Sequence, residues 1–532
     1  MFSKEMPICK LDRLATRNPQ FINLLLCIIL FIASFLRIYK LDTIPGGFFC
    51  DEAATGYNTY SILKTGYDPY NRFLPLFMNH HNIDYPEALY NYLSLPVIYL
   101  FGLNIFSTRL TSAIISIFSI ITTYLFTKEL FNKKVGLITA ILLTVSPWHF
   151  QFSRIAFRAI LLPFFTTLSL YLLLKSLKNP RYFILGGLVL GLSLYTYSVS
   201  RVFIPLMLII FFTIYIKDIL QKENIKYIIL TLFLFFLIII PVYYSSFFGK
   251  ANIRFGELSI FNTPYPLKQF FLNLRTHLSF NFLFIKGDAN LRHNIPLSGQ
   301  ILVAVIPFFL LGLYPIIKWK SKQSLLLLCL FIAGFIPSSL TNEGIPHSLR
   351  SISSLPFAEI IAGYGIFVFL EYLKDRKRLI RVSLSVIFIS LIIVDMIFYL
   401  SAYFFMYEAI SQDWFQYGLK EAIEYAEGNY DRYDNIVLSS KIHYAYIFPL
   451  FFGRLDPVNY QKYKSAGKYM VCDENVETFY NKLRGNNLFI VTEKELQNLP
   501  VKKYIYNMKN KIVLKLIEQG SPFLKEFLEY PP

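Results

Sequence analysis

Residues 46–57 read Gly-Gly-Phe-Phe-Cys-Asp-Glu-Ala-Ala-Thr-Gly-Tyr, and this stretch carries two adjacent carboxylates, Asp51 and Glu52. The pair follows, by about a dozen residues, the first apolar run of membrane length, at 20–38. Charges close to lipid are costly unless they are solvated or used, so the pair needs a reason. One reason is structural, since Asp51 could cap the helix that the following residues would start. The other is chemical, since a carboxylate can act as a general base, and both roles can hold together.

The composition is that of a membrane protein. Of the 532 residues, 55% are hydrophobic and only 16% are charged, which is too apolar for an ordinary soluble protein of this size. The net charge of +18 could indicate nucleic-acid binding, but residues 401–532 carry 16 basic and 16 acidic side chains, so the excess lies in 1–400. There it sits in short loops between apolar runs, which is a signal of membrane orientation. The five cysteines show neither a metal-binding spacing nor a disulfide framework.

Twelve apolar runs have lengths that suit helices across a bilayer core of about 30 Å. They lie at 20–38, 88–103, 107–127, 135–150, 159–176, 182–195, 201–216, 227–245, 299–317, 324–338, 352–370 and 379–400. The positive-inside rule places five basic connectors in the cytoplasm, at 128–134, 175–181, 217–226, 318–322 and 374–381. This is consistent only if one early run does not cross, and the short, tyrosine-rich run at 88–103 is predicted to lie along the outer interface. The sequence thus predicts eleven crossings of the cytoplasmic membrane, with the N-terminus inside and the C-terminal region outside.

The predicted fold class is an all-α polytopic membrane protein with a small α/β domain at its C-terminus. Three parts are expected: a cytoplasmic segment at 1–19, a transmembrane domain at 20–400 with outer loops 39–106 and 246–298, and an extracytoplasmic α/β domain at 401–532. In the last part, two buried strands are predicted at 435–439 and 487–491, and two helices at 414–427 and 475–483.

A second acidic segment in the first outer loop contains Asp84 and Glu87. Asp84 could cap the interface helix, with Glu87 favouring the helix dipole. Alternatively, the two acids form a second acidic site that acts on a metal or on an acceptor. His80 and His81 lie nearby, and a divalent cation accepts oxygen and imidazole ligands.

Cations cluster in two later outer segments. Lys286, Arg292 and His293 surround a glycine, which suits a phosphate-binding turn, although a solvated loop would have the same composition. His347 and Arg350 precede a span from the outer side, where the positive-inside rule disfavours arginine; a snorkelling side chain is the alternative to a phosphate anchor. Further outer-side cations are Arg154, Arg158 and Arg201.

Several blocks of the chain occur in a characteristic order. They are Asp51-Glu52, Asp84-Tyr85-Pro86-Glu87-Ala88-Leu89-Tyr90, Phe106-Ser107-Thr108-Arg109-Leu110, residues 284–300 and Pro346-His347-Ser348-Leu349-Arg350-Ser351. In this order, over roughly residues 20–400, they resemble the integral-membrane glycosyltransferases of the GT-C type. In particular, the chain is similar to the protein O-mannosyltransferase and lipid A aminoarabinose transferase (family 39-like) group.

The resemblance implies transfer of a hexose or pentose from a polyprenyl-phosphate carrier to an acceptor hydroxyl on the non-cytoplasmic face, with inversion. It implies that Asp51 is the base and Glu52 its catalytic neighbour, with Asp84 and Glu87 as the acceptor or second acidic site. Tyr85 stands where the aminoarabinose transferases have a phosphate-binding lysine, so the phosphate contacts are expected elsewhere. The expected donor-phosphate residues are Arg350, His347, Arg292, Lys286, His293 and Arg158.

A metal-dependent mechanism is not favoured, because many relatives carry an aspartate in the next outer turn, where this chain has Arg-Ile-Ala-Phe-Arg-Ala-Ile at 154–160. No cofactor is assigned. The expected partners are a polyprenyl-phosphate sugar, membrane lipid and an acceptor that is a protein, a lipid or a glycan, but no nucleic acid. The alternatives are a membrane polysaccharide polymerase or ligase, and a lipid-linked glycan flippase, which would need polar residues deep within its spans.

Overall fold

A computed structural model of the chain describes residues 19–79, 84–249, 252–472 and 474–520. The predicted cytoplasmic segment at 1–19 lies outside the described residues except for its last residue, and so do His80 and His81. The helices are α1 (Pro19–Ile38), α2 (Cys50–Thr65), α3 (Leu89–Phe101), α4 (Ile105–Leu130), α5 (Lys133–Val145), α6 (Pro147–Phe152), α7 (Leu161–Ser176), α8 (Tyr182–Ser193), α9 (Ser200–Ile219), α10 (Ile225–Phe247), α11 (Ile253–Leu258), α12 (Pro266–His277), α13 (Ile306–Trp319), α14 (Lys322–Ala333), α15 (Ile336–Ser339), α16 (Phe357–Lys374), α17 (Arg378–Ser401), α18 (Tyr407–Ser411), α19 (Leu419–Gly428), α20 (Ile447–Phe452), α21 (Pro457–Tyr463) and α22 (Val476–Lys482). The strands are β1 (Asn435–Leu438), β2 (Tyr469–Val471), β3 (Asn487–Thr492), β4 (Lys503–Tyr506) and β5 (Ile512–Gln519).

Within the described residues, eight helical segments are long and apolar enough to cross a bilayer. They are Gln20–Ile38, Ile105–Leu130, Arg158–Ser176, Ser200–Ile219, Lys222–Phe247, Lys322–Ser339, Ile352–Lys374 and Arg378–Ser411. Shorter apolar helices are Leu89–Phe101, Tyr182–Ser193 and Val303–Trp319. The predicted fold class, a helical multi-pass membrane protein with a small C-terminal α/β part, is confirmed.

Three of the runs predicted to cross form shorter helices than expected. The run at 135–150 is divided, because α5 ends at Val145 and Pro147 starts α6. A proline disfavours helical geometry in the residue before it but suits the first position of a helix, so the chain breaks at Ser146. The runs at 182–195 and 299–317 form two of the shorter apolar helices. The number of crossings therefore stays a prediction.

The chain divides into two compact units. The first unit contains residues 19–39, 79, 84–90 and 112–402 of the described chain. Two glycines bring α13 and α16 into backbone contact there: a Cβ at Gly312 would lie 2.1 Å from the carbonyl oxygen of Ile361, and one at Gly365 would lie 1.8 Å from that of Phe308. Small residues at such crossings let apolar helices pack closely without a polar contact.

The second unit contains residues 40–78, 91–111 and 403–520 of the described chain. Its sheet has the strand order β2-β1-β3-β5-β4, with β1 parallel to both neighbours and β5 antiparallel to both of its own. The two strands predicted from their apolar runs are confirmed as β1 and β3. One face of the sheet packs against α22 through Val437, Phe489 and Val476, all buried.

Candidate active site

Asp51 and Glu52 both lie in the first turn of α2, but their surroundings are opposite. The helix begins at Cys50 with Phe49 in the N-cap position, so the prediction that Asp51 caps the helix is wrong. The Asp51 carboxylate is exposed, whereas the side chain of Glu52 is fully buried. One Glu52 oxygen accepts a hydrogen bond from the Phe49 N–H at 3.2 Å, which satisfies one of the free amide groups at the helix start.

Arg109 neutralises Glu52 in the interior of the second unit. Its Nε donates to Glu52 Oε1 at 2.9 Å and its Nη2 to Oε2 at 3.0 Å, and both side chains have no exposed area. The remaining guanidinium hydrogens bond to the carbonyl oxygens of Leu41, Pro45 and Gly47 at 3.2, 3.1 and 2.8 Å. All five guanidinium donors are therefore used, and Arg109 ties the loop before α2 to the first turn of that helix.

Gly46 and Gly47 let the backbone at Glu408 and Phe415 pack onto the same loop. A Cβ at Gly46 would lie 2.2 Å from the carbonyl oxygen of Glu408, and one at Gly47 would lie 2.5 Å from that of Phe415. Gly47 also has a φ of +96°, which a residue with a side chain rarely adopts. The two glycines of the opening motif are therefore required by tertiary packing at Glu408 and Phe415, far along the sequence.

The C-terminal part of the second unit holds α2 at both ends. At the start, Ser411 Oγ accepts from the Gly46 N–H at 3.0 Å, and Gln416 Oε1 accepts from the Cys50 N–H at 2.9 Å. At the other end, Gln461 Nε2 donates to Ser61 Oγ at 3.0 Å and, at 2.9 Å, to the hydroxyl four residues later. The exposed Asp51 thus projects from a helix whose position depends on residues 411–461.

In the first unit, Glu87 is the centre of a second buried ionic group. Its Oε2 accepts from Arg158 Nε at 2.9 Å, and its Oε1 accepts from Arg201 Nη2. The Glu87 side chain is 1% exposed, whereas that of Arg158 is 24% exposed and makes no further hydrogen bond within the described chain. Asp84 lies near enough to Arg158 to interact electrostatically with it. Helix α3 begins at Leu89, so the prediction that Asp84 caps it is wrong.

Arg350 lies close to Tyr197, as does Arg158 of the Glu87 group. Burial raises the pKa of Tyr197, and the positive charges of Arg350 and Arg158 oppose that rise, so both cations lie near its ring. The guanidinium carbon of Arg158 is 5.3 Å from the centre of the Tyr197 ring. Arg350 Nη2 pairs with Glu343 Oε2 at 2.9 Å, and this carboxylate is 56% exposed. The predicted phosphate residues Arg350 and Arg158 are therefore brought together within the first unit.

Three histidines lie beside Arg350 and are uncharged at neutral pH. Burial lowers the pKa of His347 well below its ordinary value, and the charges of Arg350 and Arg292 lower it further. Burial also lowers the pKa of His293, against the effect of Asp288. His347 accepts from the Arg350 N–H at Nδ1, so its Nε2–H can donate to a phosphate. His293 donates its Nδ1 hydrogen to Asp288, which leaves its Nε2 as an acceptor, and positive charge therefore has to come from the arginines.

The third histidine, His277, has a structural role. Its Nδ1 lies 2.8 Å from the Asn273 carbonyl oxygen, so this nitrogen donates, and its Nε2 accepts from the His347 N–H at 3.1 Å. Burial lowers the pKa of His277 to about 4, in agreement with a neutral ring. This pair of hydrogen bonds fixes the backbone at His347, the residue that starts the segment with Arg350.

One group of side chains could hold a divalent cation. Ligand atoms of Asp288, His293 and His347 lie within 4.8 Å of one another. A carboxylate with two imidazoles is a donor set that zinc and similar ions accept. Asp288 Oδ2 is already engaged by His293 Nδ1 at 2.9 Å and by the Ser348 N–H at 2.8 Å, so the cluster is also held together without an ion. The metal considered from the sequence, at Asp84 with two histidines outside the described residues, is a different location.

Lys286 and Arg292 belong to a tightly built turn. Gly287 has a φ of +64°, and a Cβ there would lie 2.2 Å from Asn294 Nδ2, which instead donates to the Lys286 carbonyl at 2.9 Å. Arg292 is half-buried beside His347, whereas the Lys286 side chain is exposed. Of these two predicted cations, only Arg292 therefore lies beside His347 and near Arg350.

Some residues have structural roles that the sequence did not reveal. Arg154 donates to the carbonyl oxygens of Leu36, Arg37 and Tyr39 at 2.8, 2.9 and 2.8 Å, which satisfies the free carbonyls at the end of α1. Its role is therefore structural. Arg109 appeared in the sequence only as part of a family-like block, and Gln416 gave no signal because its partner is 366 residues away.

The comparisons with known proteins agree with this architecture. Residues 88–244 match the family model described as dolichyl-phosphate-mannose-protein mannosyltransferase. No curated protein sequence matches the chain. Among solved structures, ArnT from Cupriavidus metallidurans in the apo state is 12% identical, with a TM-score of 0.56 over 92% of this chain and 97% of that chain.

The chain has the GT-C glycosyltransferase fold. A second ArnT structure, bound to undecaprenyl phosphate, is 11% identical with a TM-score of 0.56, over 94% of this chain and 98% of that one. The archaeal oligosaccharyltransferase AglB from Archaeoglobus fulgidus, in complex with an inhibitory peptide and a dolichol-phosphate, is 14% identical with a TM-score of 0.57. That match covers 96% of this chain and 75% of the other. The resemblance to GT-C enzymes inferred from the sequence is confirmed.

Proposed function

We propose that the protein is an inverting glycosyltransferase that moves a sugar from a polyprenyl-phosphate carrier to an acceptor hydroxyl, with Asp51 as the base. The observation that carries the proposal is the contrast within the acidic pair: Glu52 is buried and fully paired with Arg109, while the adjacent carboxylate of Asp51 is exposed. A rigid, neutralised neighbour fixes the helix turn and leaves one carboxylate for chemistry. The reaction takes place on the non-cytoplasmic face, to which the positive-inside rule assigns both outer loops.

Asp51 has the role that inverting sugar transfer demands of a carboxylate. As the acceptor oxygen bonds to the anomeric carbon, its hydroxyl proton passes to the carboxylate of Asp51. The bond from that carbon to the carrier phosphate breaks, and the phosphate leaves as a dianion that needs no general acid. In this assignment Glu52 is a positioning residue, and the earlier expectation of a catalytic role for it gives way to the geometry with Arg109.

The arginines of the first unit supply the positive charge that the leaving phosphate needs. Arg350 and Arg158 lie near Tyr197, and Arg292 lies near Arg350 beside His347. Preorganised cations stabilise charge that develops in a transition state without reorganising as the reaction proceeds. Two solved GT-C structures carry undecaprenyl phosphate or dolichol-phosphate, which supports a lipid-phosphate carrier for this chain also. That the acid of one unit and these cations meet at a single water–lipid boundary stays a prediction.

The polar groups of the first unit favour an enzyme over a flippase. These groups all lie in loops or at the starts of helices, on the face that the predicted topology assigns to the outside. They are Glu87, Arg158, Arg201, Asp288, His293 and Arg350. A transporter would need such groups near the midplane of its spans. Polarity concentrated at one boundary instead suits a reaction between a membrane-held carrier and an acceptor in water.

The test replaces the proposed base in the full-length protein. Asp51→Asn should lower the release of undecaprenyl phosphate from undecaprenyl-phosphate hexoses, in membranes that contain the natural acceptors, by about 10²–10⁴-fold. Asp42→Asn is the matched control, because Asp42 is an exposed carboxylate in the loop that precedes α2, with no hydrogen bond or ion pair in the described chain, and it should leave the rate unchanged. Wild-type activity in the Asp51→Asn protein would refute the assignment.

A further inference from the structure

The segment 411–416 begins at the last residue of the apolar helical segment Arg378–Ser411 and belongs to the C-terminal part of the second unit. It makes side-chain hydrogen bonds to the loop and helix that carry Asp51. Ser411 Oγ accepts from the Gly46 N–H at 3.0 Å, and Gln416 Oε1 accepts from the Cys50 N–H at 2.9 Å. Between these two contacts, the Phe415 backbone packs against Gly47 so closely that no Cβ fits. The segment therefore fixes the chain on both sides of the turn into α2.

The amide of Gln416 has a defined orientation. Its oxygen faces the Cys50 N–H, and its nitrogen donates to the His443 carbonyl at 2.8 Å. Both groups match only one rotation of the amide, since the opposite rotation would place two donors and two acceptors together. Gln416 also has a φ of +50°, a backbone conformation that costs free energy in a residue with a side chain. Such a cost persists where the surrounding contacts impose it.

The N-cap residue of helix α2 supplies no capping side chain, and Glu52 accepts only from the Phe49 N–H. Phe49 holds the N-cap position and offers no side-chain acceptor, and the first helical N–H group, at Cys50, has its acceptor in Gln416. An N-terminal N–H without an acceptor weakens the first turn of a helix. Asp51 is the next residue, with its Cα about 3.8 Å from that of Cys50. A change at Gln416 therefore acts on the backbone of the proposed base.

We propose that Gln416 is a positioning residue for Asp51, so that the C-terminal domain sets the rate of sugar transfer by holding the first turn of α2. This inference rests on the proposed function, since it assigns a role to residues around the proposed base. It gives the C-terminal domain a part in the reaction of the membrane domain. The contact depends on hydrogen-bond geometry at one amide and not on the attachment of the domain in general.

Two other glutamines of the second unit separate positioning from attachment. Gln461 holds the opposite end of α2 through Ser61, several turns from Asp51. Gln519 donates to the carbonyl oxygens of Tyr480 and Leu483 at 2.6 and 3.1 Å, within the α/β domain. Replacement of either by leucine removes at least as many side-chain hydrogen bonds as replacement of Gln416, but leaves the first turn of α2 intact.

The experiment measures transfer from undecaprenyl-phosphate hexoses by full-length variants in membranes, as a function of pH and donor concentration. Gln416→Leu should lower kcat at least tenfold with the donor KM within twofold of wild type. Gln461→Leu and Gln519→Leu should keep kcat within twofold. Equal losses in Gln461→Leu and Gln416→Leu would mean that only attachment of the domain matters, and would overturn the inference.

A second variant keeps the test decisive if Gln416→Leu does not fold. Gln416→Glu retains an acceptor for the Cys50 N–H but adds a negative charge beside Asp51. It should keep kcat within about threefold of wild type at high pH, and the acid limb of its pH–rate profile should move to higher pH. The sign follows because a nearby like charge raises the pKa of a carboxylate, and a base is active only when deprotonated. An unshifted profile in Gln416→Glu would overturn the inference.

Asp51→Asn measured in the same assay distinguishes the two proposals. If that variant is as active as wild type, the proposed function fails, and the role of Gln416 fails with it. If Asp51→Asn is inactive while Gln416→Leu keeps full kcat, the proposed function stands and only the positioning role of Gln416 fails.

Discussion

Glu52 in the second unit and Glu87 in the first are both fully buried carboxylates paired with arginine, yet the two ionic groups differ in what remains available. Around Glu52, a single arginine uses all five of its donors on protein oxygens. Around Glu87, two arginines share one carboxylate, and Arg158 keeps a quarter of its side chain exposed. The first group holds a loop in place, whereas the second leaves part of the Arg158 side chain exposed.

The largest expected effect comes from the saturated pair. Arg109→Lys should lower the free energy of unfolding by about 3 kcal/mol, because a lysine cannot make the bidentate contact and leaves Glu52 buried with incomplete pairing. The control is Lys420→Ala, which removes an exposed pair with Glu424 and should cost less than about 0.5 kcal/mol. Thermal unfolding in detergent measures both, and equal stability of Arg109→Lys and wild type would contradict the structural role of the pair.

The next effect concerns the Glu87 group, in which Arg158 is partly exposed. Arg158→Gln should raise the Kd for undecaprenyl phosphate about tenfold, a loss of about 1.4 kcal/mol, because a charge-assisted contact to phosphate is removed. Lys178→Gln is the control, since Lys178 is an exposed cation on a predicted cytoplasmic connector. Native mass spectrometry of the lipid complexes gives both values. An unchanged Kd in Arg158→Gln, or the same rise in Lys178→Gln, would show that the Glu87 group is as purely structural as the Glu52 group.

A smaller effect is expected at Arg350, whose partner is itself exposed. Glu343→Gln should tighten undecaprenyl-phosphate binding about threefold, because the Glu343 carboxylate and the lipid phosphate compete for the same guanidinium. Glu474→Gln, which removes another exposed carboxylate from its lysine, serves as the control and should leave the affinity unchanged. Weaker binding in Glu343→Gln would mean that the carboxylate orients Arg350 for the phosphate.

The smallest effect is expected at Lys286. Its side chain is exposed, and salt screens interactions between solvated charges, so Lys286→Gln should change the Kd for undecaprenyl phosphate by less than twofold at 0.15 M salt. The same measurement at low salt should show a larger change. A tenfold loss at physiological salt would return Lys286 to the set of direct phosphate ligands that the sequence suggested.

The sequence located most of the candidate residues but did not separate their roles. Apolar runs and basic connectors predicted a polytopic helical protein, since span length and loop charge are local properties. The acidic pair at 51–52 and the cations at 158, 292 and 350 were identified because they are charged residues in loops predicted to be outer. Adjacent residues such as Asp51 and Glu52 look equivalent in a sequence, and only burial distinguishes an exposed carboxylate from one that is paired with Arg109.

The sequence alone determined that this chain is a multi-pass helical membrane protein with a small C-terminal α/β part, and that it carries acids and arginines in the loops predicted to be outer, because hydropathy, strand pattern and charge are properties of short stretches of residues. The tertiary structure decided which of those charged side chains are buried in ion pairs that stabilise the fold, as Glu52 is with Arg109. It also decided that the uncharged Gln416, 366 residues after Cys50, accepts a hydrogen bond from the first turn of α2. Hydrogen bonds and ion pairs between residues hundreds of positions apart depend on how the chain packs, and no local pattern encodes them.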